Sequence, residues 1–210
     1  MRKNLDQKLW KYNNLIFCGV DEVGRGSLAG PVVAAAVILP RNIRLKGVRD
    51  SKELTPRQRS LLFPKIKSGA ISLGIGIVNN KIIDQINIRN ASFLAMKKAI
   101  AKLKVRPDLA LVDGFSIPDL TIDNNGITRG DKKSLSIACA SIIAKVIRDE
   151  IMKRFHQYYP DYGFAKHKGY PTRRHIQALK FFGPTPIHRQ TFAPVKNCTF
   201  TDEHRLSVPI

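Results

Sequence analysis

Four acidic residues are the side chains of this sequence best placed to do chemistry. Asp21 and Glu22 come directly after an apolar run, and Asp113 follows a second, shorter run in the same way. Such runs predict strands, and ligands bind at the carboxyl ends of strands in an open α/β sheet. Carboxylates that converge there suit hard cations such as Mg²⁺ or Mn²⁺. Together the three acids predict a metal site, whereas each one alone is better explained by a turn or by an ion pair with the surplus Lys and Arg.

The fourth acidic residue, Asp131, stands three positions before Ser134, where the longest helical pattern of the chain begins. A carboxylate at that place is expected to cap the helix or to lie favourably near the positive end of its dipole. If the helix starts at the same edge of the sheet, Asp131 would also complete the metal cluster. The sequence leaves both roles open.

A short glycine-rich turn, Gly24-Arg25-Gly26, follows the acidic pair. Glycine lets backbone groups approach a ligand closely, although many such turns only reverse the chain. Ala29 interrupts the G-x-G-x-x-G pattern, and the sequence contains no Walker A motif. The turn therefore indicates a ligand-contacting loop or a plain reversal, but no nucleotide cofactor.

The composition points to a polyanionic partner. The 210 residues include 36 Lys and Arg against 16 Asp and Glu, which gives a formal charge of +20. With 43% hydrophobic residues the chain can build a core, so the charge indicates a folded nucleic-acid-binding protein and not a disordered basic tail. The apolar runs are too short to span a bilayer, and Cys18, Cys139 and Cys198 form neither a disulfide framework nor a zinc pattern. We expect a cytoplasmic protein with no membrane contact.

Hydrophobic patterning indicates an α/β domain with the element order β-β-β-α-β-β-α. Three apolar runs predict strands that follow each other closely and pair antiparallel: residues 15–20, 32–39 and 70–78. A helix at 88–103 followed by a strand at 109–112 predicts a parallel crossover, and a long helix is predicted at 134–158. Between the second and third strands, Thr55 and Pro56 should open a further helix, which Pro64 is expected to bend or end early.

The composition changes at Tyr162. Residues 162–201 contain seven Lys and Arg and no Asp or Glu, which predicts a phosphate-facing appendage. His167, His175 and His188 lie in this stretch without the cysteines of a zinc site or a nucleophile elbow, so we expect phosphate-facing or structural roles for them.

Segments along nearly the whole chain resemble one family. The run DEVGRGSLAGPV, residues 21–32, resembles the signature of ribonuclease HII, the bacterial type 2 ribonucleases H. The resemblance extends over residues 18–196. The other matching segments fall in that family's order: Asp50-Ser51-Lys52, Val112-Asp113-Gly114, Gly130-Asp131, residues 136–149 (SIACASIIAKVIRD), Gly169-Tyr170-Pro171-Thr172 and residues 183–195.

The resemblance implies an RNase H-like fold, with a mixed five-stranded sheet flanked by helices. It assigns residues 1–161 to a catalytic domain and 162–210 to a small helical part over the substrate groove. The implied activity is cleavage of the RNA strand of RNA–DNA hybrids, and cleavage 5′ of ribonucleotides embedded in duplex DNA, with Mg²⁺ or Mn²⁺. By motif position the catalytic, metal-binding carboxylates are Asp21, Glu22, Asp113 and Asp131. The residues that contact substrate are Gly24, Arg25, Gly26 and Tyr170, the last beside the RNA-to-DNA junction.

The sequence leaves two other functional classes of protein open. A non-catalytic basic nucleic-acid-binding protein explains the charge, but it leaves unexplained why scarce acids stand where they would repel phosphates. A metal nuclease acting on DNA junctions explains the acids, but not the combination of Gly24-Arg25-Gly26 with Tyr170. A monomer is expected from the resemblance.

Overall fold

The computed structural model describes residues 4–12, 14–48 and 51–198 of the chain. Its five strands are β1 (Phe17–Val23), β2 (Val32–Ile38), β3 (Ser72–Val78), β4 (Leu109–Asp113) and β5 (Asp123–Ile127). They form one sheet in the order β3-β2-β1-β4-β5. β1, β2 and β3 pair antiparallel, whereas β4 runs parallel to β1 and β5 runs parallel to β4. The predicted mixed sheet, antiparallel start and parallel crossover are confirmed.

Seven helices flank or extend the sheet within the described residues: α1 (Asn4–Tyr12), α2 (Pro56–Gly69), α3 (Asn80–Ala101), α4 (Gly130–Lys133), α5 (Leu135–Tyr158), α6 (Phe164–His167) and α7 (Arg173–Phe182). α3 begins earlier than predicted, because the side chain of Asn79 accepts a hydrogen bond from the Ile82 N–H and caps an additional segment. A break at Asn87, with φ 64° and ψ 165°, separates that segment from the helix predicted at 88–103.

The first strand differs from its predicted bounds. Leu15 and Ile16 lie outside β1, and each is 42% exposed. β1 instead continues to Val23. Asp21 and Glu22 therefore lie inside the strand, two residues and one residue before its end, and do not follow it. The pairing of Glu22 with Ala34 of β2 keeps this segment extended. The acidic pair is therefore held by the sheet itself and not by a loop.

α2 begins as predicted and ends later. The side chain of Thr55 accepts a hydrogen bond from the Gln58 N–H, and the Gln58 side chain accepts one from the Thr55 N–H. Of the two effects expected of Pro64, the early end is wrong, because α2 runs on to Gly69, and the bend stays a prediction. Pro64 and Ser60 lie on the exposed side, so water can bond the Ser60 carbonyl that loses its helical donor.

The three central strands of the sheet, β2, β1 and β4, are mostly buried on both faces. Along β2, Val32, Ala34, Ala36 and Ile38 pack in the cluster that contains α3, and the alternate residues Val33, Ala35 and Val37 pack toward α2 and α5. Gly19 of β1 lies against the backbone of Ser136 and Ile137, where a side chain would overlap α5. This close approach places the first turn of α5 beside the middle of β1, two residues before Asp21.

Residues 162–198 form a small helical segment against α5 and the connection between β1 and β2. Phe164, Tyr162 and Ala178 pack on Ala29 and on Met152 of α5, and a bridge joins Ala29 to His188. Most of the basic side chains predicted to face phosphates are exposed, but Arg189 is fully buried. The three cysteines are free. None of the described helices has the length and apolar character needed to cross a membrane.

Candidate active site

A cleft of about 580 Å³ opens at the carboxyl ends of β1 and β4. It brings together every residue that the sequence analysis singled out as catalytic or substrate-binding. These are Asp21, Glu22, Gly24, Arg25, Gly26, Asp113, Asp131 and Tyr170. The expected convergence of the four carboxylates at one edge of the sheet is therefore observed.

Strand register explains why two of the carboxylates meet. Val20 of β1 pairs with Val112 of the parallel β4, so Asp21 and Asp113 are the next residues on adjacent strands. The Asp113 Oδ1 atom accepts a hydrogen bond of 2.7 Å from the Gly130 N–H. This bond ties the start of α4 to the end of β4, and it brings the neighbouring Asp131 to the same edge.

Asp131 does not cap the long helix. The Ser134 side chain does so, by accepting a hydrogen bond of 3.2 Å from the Ile137 N–H. Asp131 lies one short helix earlier, in α4, and is 8% exposed at the cleft. The expectation of a capping role on α5 was therefore wrong, and the placement at the sheet edge is confirmed.

The electrostatics of the cleft favour a bound cation. Burial raises the pKa of Asp21 well above its ordinary value, and the negative charges of Glu22 and Asp113 raise it further. Burial also raises the pKa of Glu22, although Arg25 opposes this shift. Like charges held together out of water are stabilised by a divalent cation, so this donor set fits one.

The carboxylates are not arranged as a finished coordination shell. Within the described residues, no three Asp, Glu, His or Cys side chains are positioned to hold a metal ion together. Glu22 Oε1 is instead 3.3 Å from Arg25 Nη1, and Asp21 Oδ1 accepts a hydrogen bond from the Glu22 N–H. Rotation of these side chains within the open cleft is needed before they can share an ion.

The glycine-rich turn is shaped by two buried arginines. Gly24 has φ +101°, and a Cβ atom there would overlap the side chain of Arg148. Arg189 donates to the carbonyl oxygens of Gly24 at 2.7 Å and Arg25 at 2.8 Å, and also to that of Gly30. The space beside Gly26 is open, so a ligand can approach its backbone directly. The turn is thus a built loop facing the cleft and more than a chain reversal.

Sequence reasoning missed the role of Arg189. The side chain was counted among the phosphate-facing cations, but it is 0% exposed and its hydrogen bonds go to backbone carbonyls. Burial lowers the pKa of Arg189 to about 9. Its partners lie more than 150 positions earlier in the chain, so no local pattern marks the contact.

The ring of Tyr170 lies near two cations, and the backbone of Tyr170 is hydrogen-bonded to a buried histidine. The ring centroid is 5.4 Å from the Arg148 guanidinium carbon and 5.8 Å from Lys145 Nζ. The backbone carbonyl of Tyr170 is 2.9 Å from Nδ1 of His175. Because the carbonyl can only accept, His175 donates from Nδ1. This hydrogen bond holds the backbone of Tyr170 in place.

Two of the three histidines, His175 and His188, are structural and do not face phosphates. His175 and His188 are fully buried, with their Nε2 atoms 3.0 Å apart. The Thr185 N–H donates to His188 Nδ1, so His188 must donate from Nε2 to His175. Burial lowers the pKa of His175 to about 4 and that of His188 to about 3, which keeps both rings neutral.

Four more polar side chains line the cleft. The Oγ atoms of Ser51 and Ser141 are 2.8 Å apart, and a hydrogen bond from Ser141 lowers the pKa of Asp21. Lys145 forms the predicted ion pair with Asp149, at 2.7 Å, but it also faces the cleft. Sequence spacing indicated the ion pair and not this second placement. Lys52 lines the cleft too, whereas Asp50 lies outside the described residues.

Comparison with solved structures defines the class of protein. The ribonuclease H2 from Pyrococcus horikoshii OT3 matches with a TM-score of 0.73 and 29% identity, over 87% of this chain and 96% of that chain. Bst-RNase HIII in complex with Mn²⁺ matches with a TM-score of 0.65 over 88% of this chain and 69% of that chain, and at 20% identity this likeness shows the fold alone. The fold is the RNase H-like fold of the type 2 enzymes.

The sequence comparisons then define the family. The family Ribonuclease HII matches residues 18–195. The Ribonuclease HII of Caldicellulosiruptor saccharolyticus is 53% identical over 188 residues, which cover 90% of this chain and 92% of that protein. The chain belongs to the ribonuclease HII family.

Proposed function

We propose that this protein is a metal-dependent endoribonuclease that hydrolyses the RNA strand of RNA–DNA hybrids and cuts 5′ of ribonucleotides embedded in duplex DNA. The products carry 5′-phosphate and 3′-hydroxyl ends. One observation carries the proposal: in a member of the ribonuclease HII family, four carboxylates, a glycine-rich loop and Tyr170 line a single cleft. A protein that only bound nucleic acid would gain nothing from acids that repel phosphates there.

Asp21, Glu22, Asp113 and Asp131 are the residues that would hold Mg²⁺ or Mn²⁺. The raised pKa values of Asp21 and Glu22 support this assignment, because a cation would offset the burial that mainly raises them and the charges of the neighbouring carboxylates that add to it. The cations held by these carboxylates would supply Lewis acidity for activating a water molecule and positive charge for stabilising the leaving 3′-oxygen of an in-line displacement. The solved Bst-RNase HIII contains Mn²⁺, which agrees with this choice of ion.

The protein groups around the carboxylates would select and orient the substrate. The backbone of Gly24, Arg25 and Gly26 would contact the ribose 2′-hydroxyl, the group that distinguishes RNA from DNA. Arg189 holds two of these carbonyl groups in place, so the loop is ordered before the substrate arrives. Tyr170 would pack beside the RNA-to-DNA junction, with Lys145 within reach of a phosphate.

The rest of the molecule would grip the duplex without reading its sequence. Residues 1–161 would act as the catalytic domain and the basic segment 162–210 would cover the substrate groove. The net charge of +20 predicts binding that weakens steeply with salt and shows little base preference. A monomer acting in the cytoplasm is consistent with this role.

The test uses a DNA duplex with one ribonucleotide, the purified protein, and Mg²⁺, Mn²⁺ or EDTA. We expect metal-dependent cutting immediately 5′ of the ribonucleotide, and loss of cutting with retained duplex binding for Asp21→Asn. Tight binding without cutting would identify a basic nucleic-acid-binding protein on a nuclease fold. Cutting of branched all-DNA substrates in preference would identify a DNA junction nuclease.

A further inference from the structure

A second, smaller pocket of about 310 Å³ adjoins the catalytic cleft. The two pockets share Glu22, Arg25 and Asp113, which therefore form the boundary between them. Tyr170 lines the cleft and not the second pocket. A strand that lies across the carboxylates consequently meets Tyr170 on one side and the second pocket on the other. The remaining side chains of this pocket are Arg89, Ser92, Phe93, Met96 and Phe115.

Phe115 gives the pocket an exposed aromatic wall. It stands two residues after Asp113, beyond a turn at Gly114 with φ +84°, and 71% of it is exposed. A phenyl ring this open to water loses hydrophobic stabilisation unless a ligand covers it. Its position directly after a catalytic carboxylate makes the substrate the ligand within reach.

Two guanidinium groups line the pocket, together with the carboxylates of Glu22 and Asp113 on the boundary that it shares with the cleft. Arg89, an exposed residue of α3, lies with its guanidinium carbon 5.9 Å from the centroid of the Phe93 ring. Arg25 lies on the boundary that the pocket shares with the cleft, and its side chain is 49% exposed. Guanidinium groups bind phosphate oxygens with paired hydrogen bonds, and phenyl rings pack on sugars or bases. The combination suits one sugar–phosphate unit of a nucleic acid.

We propose that this upstream pocket, formed by Arg89, Phe93 and Phe115, binds the sugar–phosphate unit on the 5′ side of the scissile phosphate in the strand that is cut. The inference rests on the proposed function, in which Tyr170 lies beside the junction on the 3′ side of the cut. Arg89 receives the phosphate and Phe115 covers the sugar. Neither residue touches the scissile phosphate, so both act on substrate affinity and not on the chemical step.

The phosphate contact is tested with neutral methylphosphonate linkages placed one at a time along a duplex that contains one ribonucleotide. For the wild type, we expect one position 5′ of the cut at which the neutral linkage raises KM by about 5-fold. Arg89→Gln should raise KM on the unmodified duplex by about the same factor and should be insensitive to the linkage at that position. The slope of log KM against log salt should also fall by about 0.9.

The aromatic contact is tested with Phe115→Ala, which should raise KM by about 5-fold with kcat unchanged, while Phe115→Tyr restores the wild-type value. Tyr158→Ala is the matched control, because Tyr158 is 76% exposed at the far end of α5. Wild-type KM for both pocket variants would overturn the proposal, as would coupling to a phosphate on the 3′ side or in the complementary strand. Either result with cleavage intact leaves the proposed function standing, whereas absence of cleavage by the wild type overturns both.

Discussion

Two clusters of buried titratable groups in this molecule have opposite consequences. The first is the carboxylate edge (Asp21, Glu22, Asp113 and Asp131), where burial and like charges raise the pKa values of Asp21 and Glu22. The second is the histidine pair (His175 and His188), where burial lowers both pKa values. The carboxylates face an open cleft with excess negative charge, whereas the histidines are neutral and hydrogen-bonded within the protein.

The difference shows that a perturbed pKa alone does not identify a catalytic group. The histidine ring nitrogens bond to Thr185, to each other and to the Tyr170 carbonyl, so no position is left for a substrate. The carboxylates instead gather four negative charges at a cleft that a ligand can reach. A buried group is therefore assigned to function by the charges gathered around it and by its access to a ligand.

The largest expected effect separates the two regions by activity. Asp113→Asn should slow cleavage by about 1000-fold, which corresponds to about 4 kcal/mol of transition-state stabilisation. The free energy of unfolding should stay the same or rise, because one like charge leaves the edge and the amide oxygen can still accept from the Gly130 N–H. Single-turnover kinetics and thermal unfolding measure the two quantities. A destabilised variant that keeps its activity would contradict the comparison.

Arg189 joins the C-terminal segment to the glycine-rich turn, and its removal should affect both stability and activity. Arg189→Gln leaves the carbonyl groups of Gly24, Arg25 and Gly30 unpaired, at a cost of about 3 kcal/mol in unfolding free energy. Activity on a single embedded ribonucleotide should fall even at a temperature where the variant is folded. Ile66→Ala is the control, because Ile66 is buried in α2 and does not line the cleft. Equal activity in these two variants would show that Arg189 is structural only.

The histidine pair should show the reverse pattern to the carboxylates. His188→Leu leaves the Thr185 N–H without its acceptor and His175 Nε2 without its donor, which should cost about 2 kcal/mol in unfolding free energy. The value of kcat should not change below the unfolding transition. Denaturant unfolding and steady-state kinetics test this expectation. A kcat reduced as strongly as in Asp113→Asn would place the histidines in the chemistry.

The smallest effect is the pH dependence of stability, because the two regions oppose each other. Between the His175 pKa of about 4 in the folded state and 6.5 in the unfolded state, unfolded histidine binds more protons, so stability rises with pH. The raised pKa of Asp21 makes the folded state bind more protons above 3.8, so this contribution falls with pH. Asp21→Asn should therefore steepen the rise of unfolding free energy across that window. An unchanged or flatter profile would show that Asp21 is not protonated more readily in the folded protein.

Sequence patterns located the parts of the fold that depend on local burial. β2, with every residue buried, and α5, with its small residues against the sheet, lie close to their predicted bounds. β5 was expected in the element order but not located, because its sequence DNNGI is polar and half exposed and only pairing with β4 makes it a strand. Asp21 and Asp113 could be identified because each ends an apolar run.

The missed features all depend on contacts between distant parts of the chain. Arg189 reaches back to the glycine-rich turn, and Ser51 meets Ser141 across the cleft. The buried histidines could not be separated from phosphate-facing ones, because the basic residues around them are exposed and dominate the local composition. Only the packing of residues 162–198 on α5 and on the connection between β1 and β2 shows which polar side chains point inward.

The central claim is that the cleft recognises a ribose and cuts beside it. The most direct measurement compares single-turnover cleavage of three duplexes that differ at one sugar, which carries a 2′-hydroxyl, a 2′-O-methyl group or hydrogen. We predict one metal-dependent cut 5′ of the ribonucleotide and no cut in the other two duplexes, because only a free hydroxyl can both fit and bond to the loop at Gly24 and Gly26. Cleavage of the all-DNA duplex at a comparable rate would contradict ribose recognition by this loop.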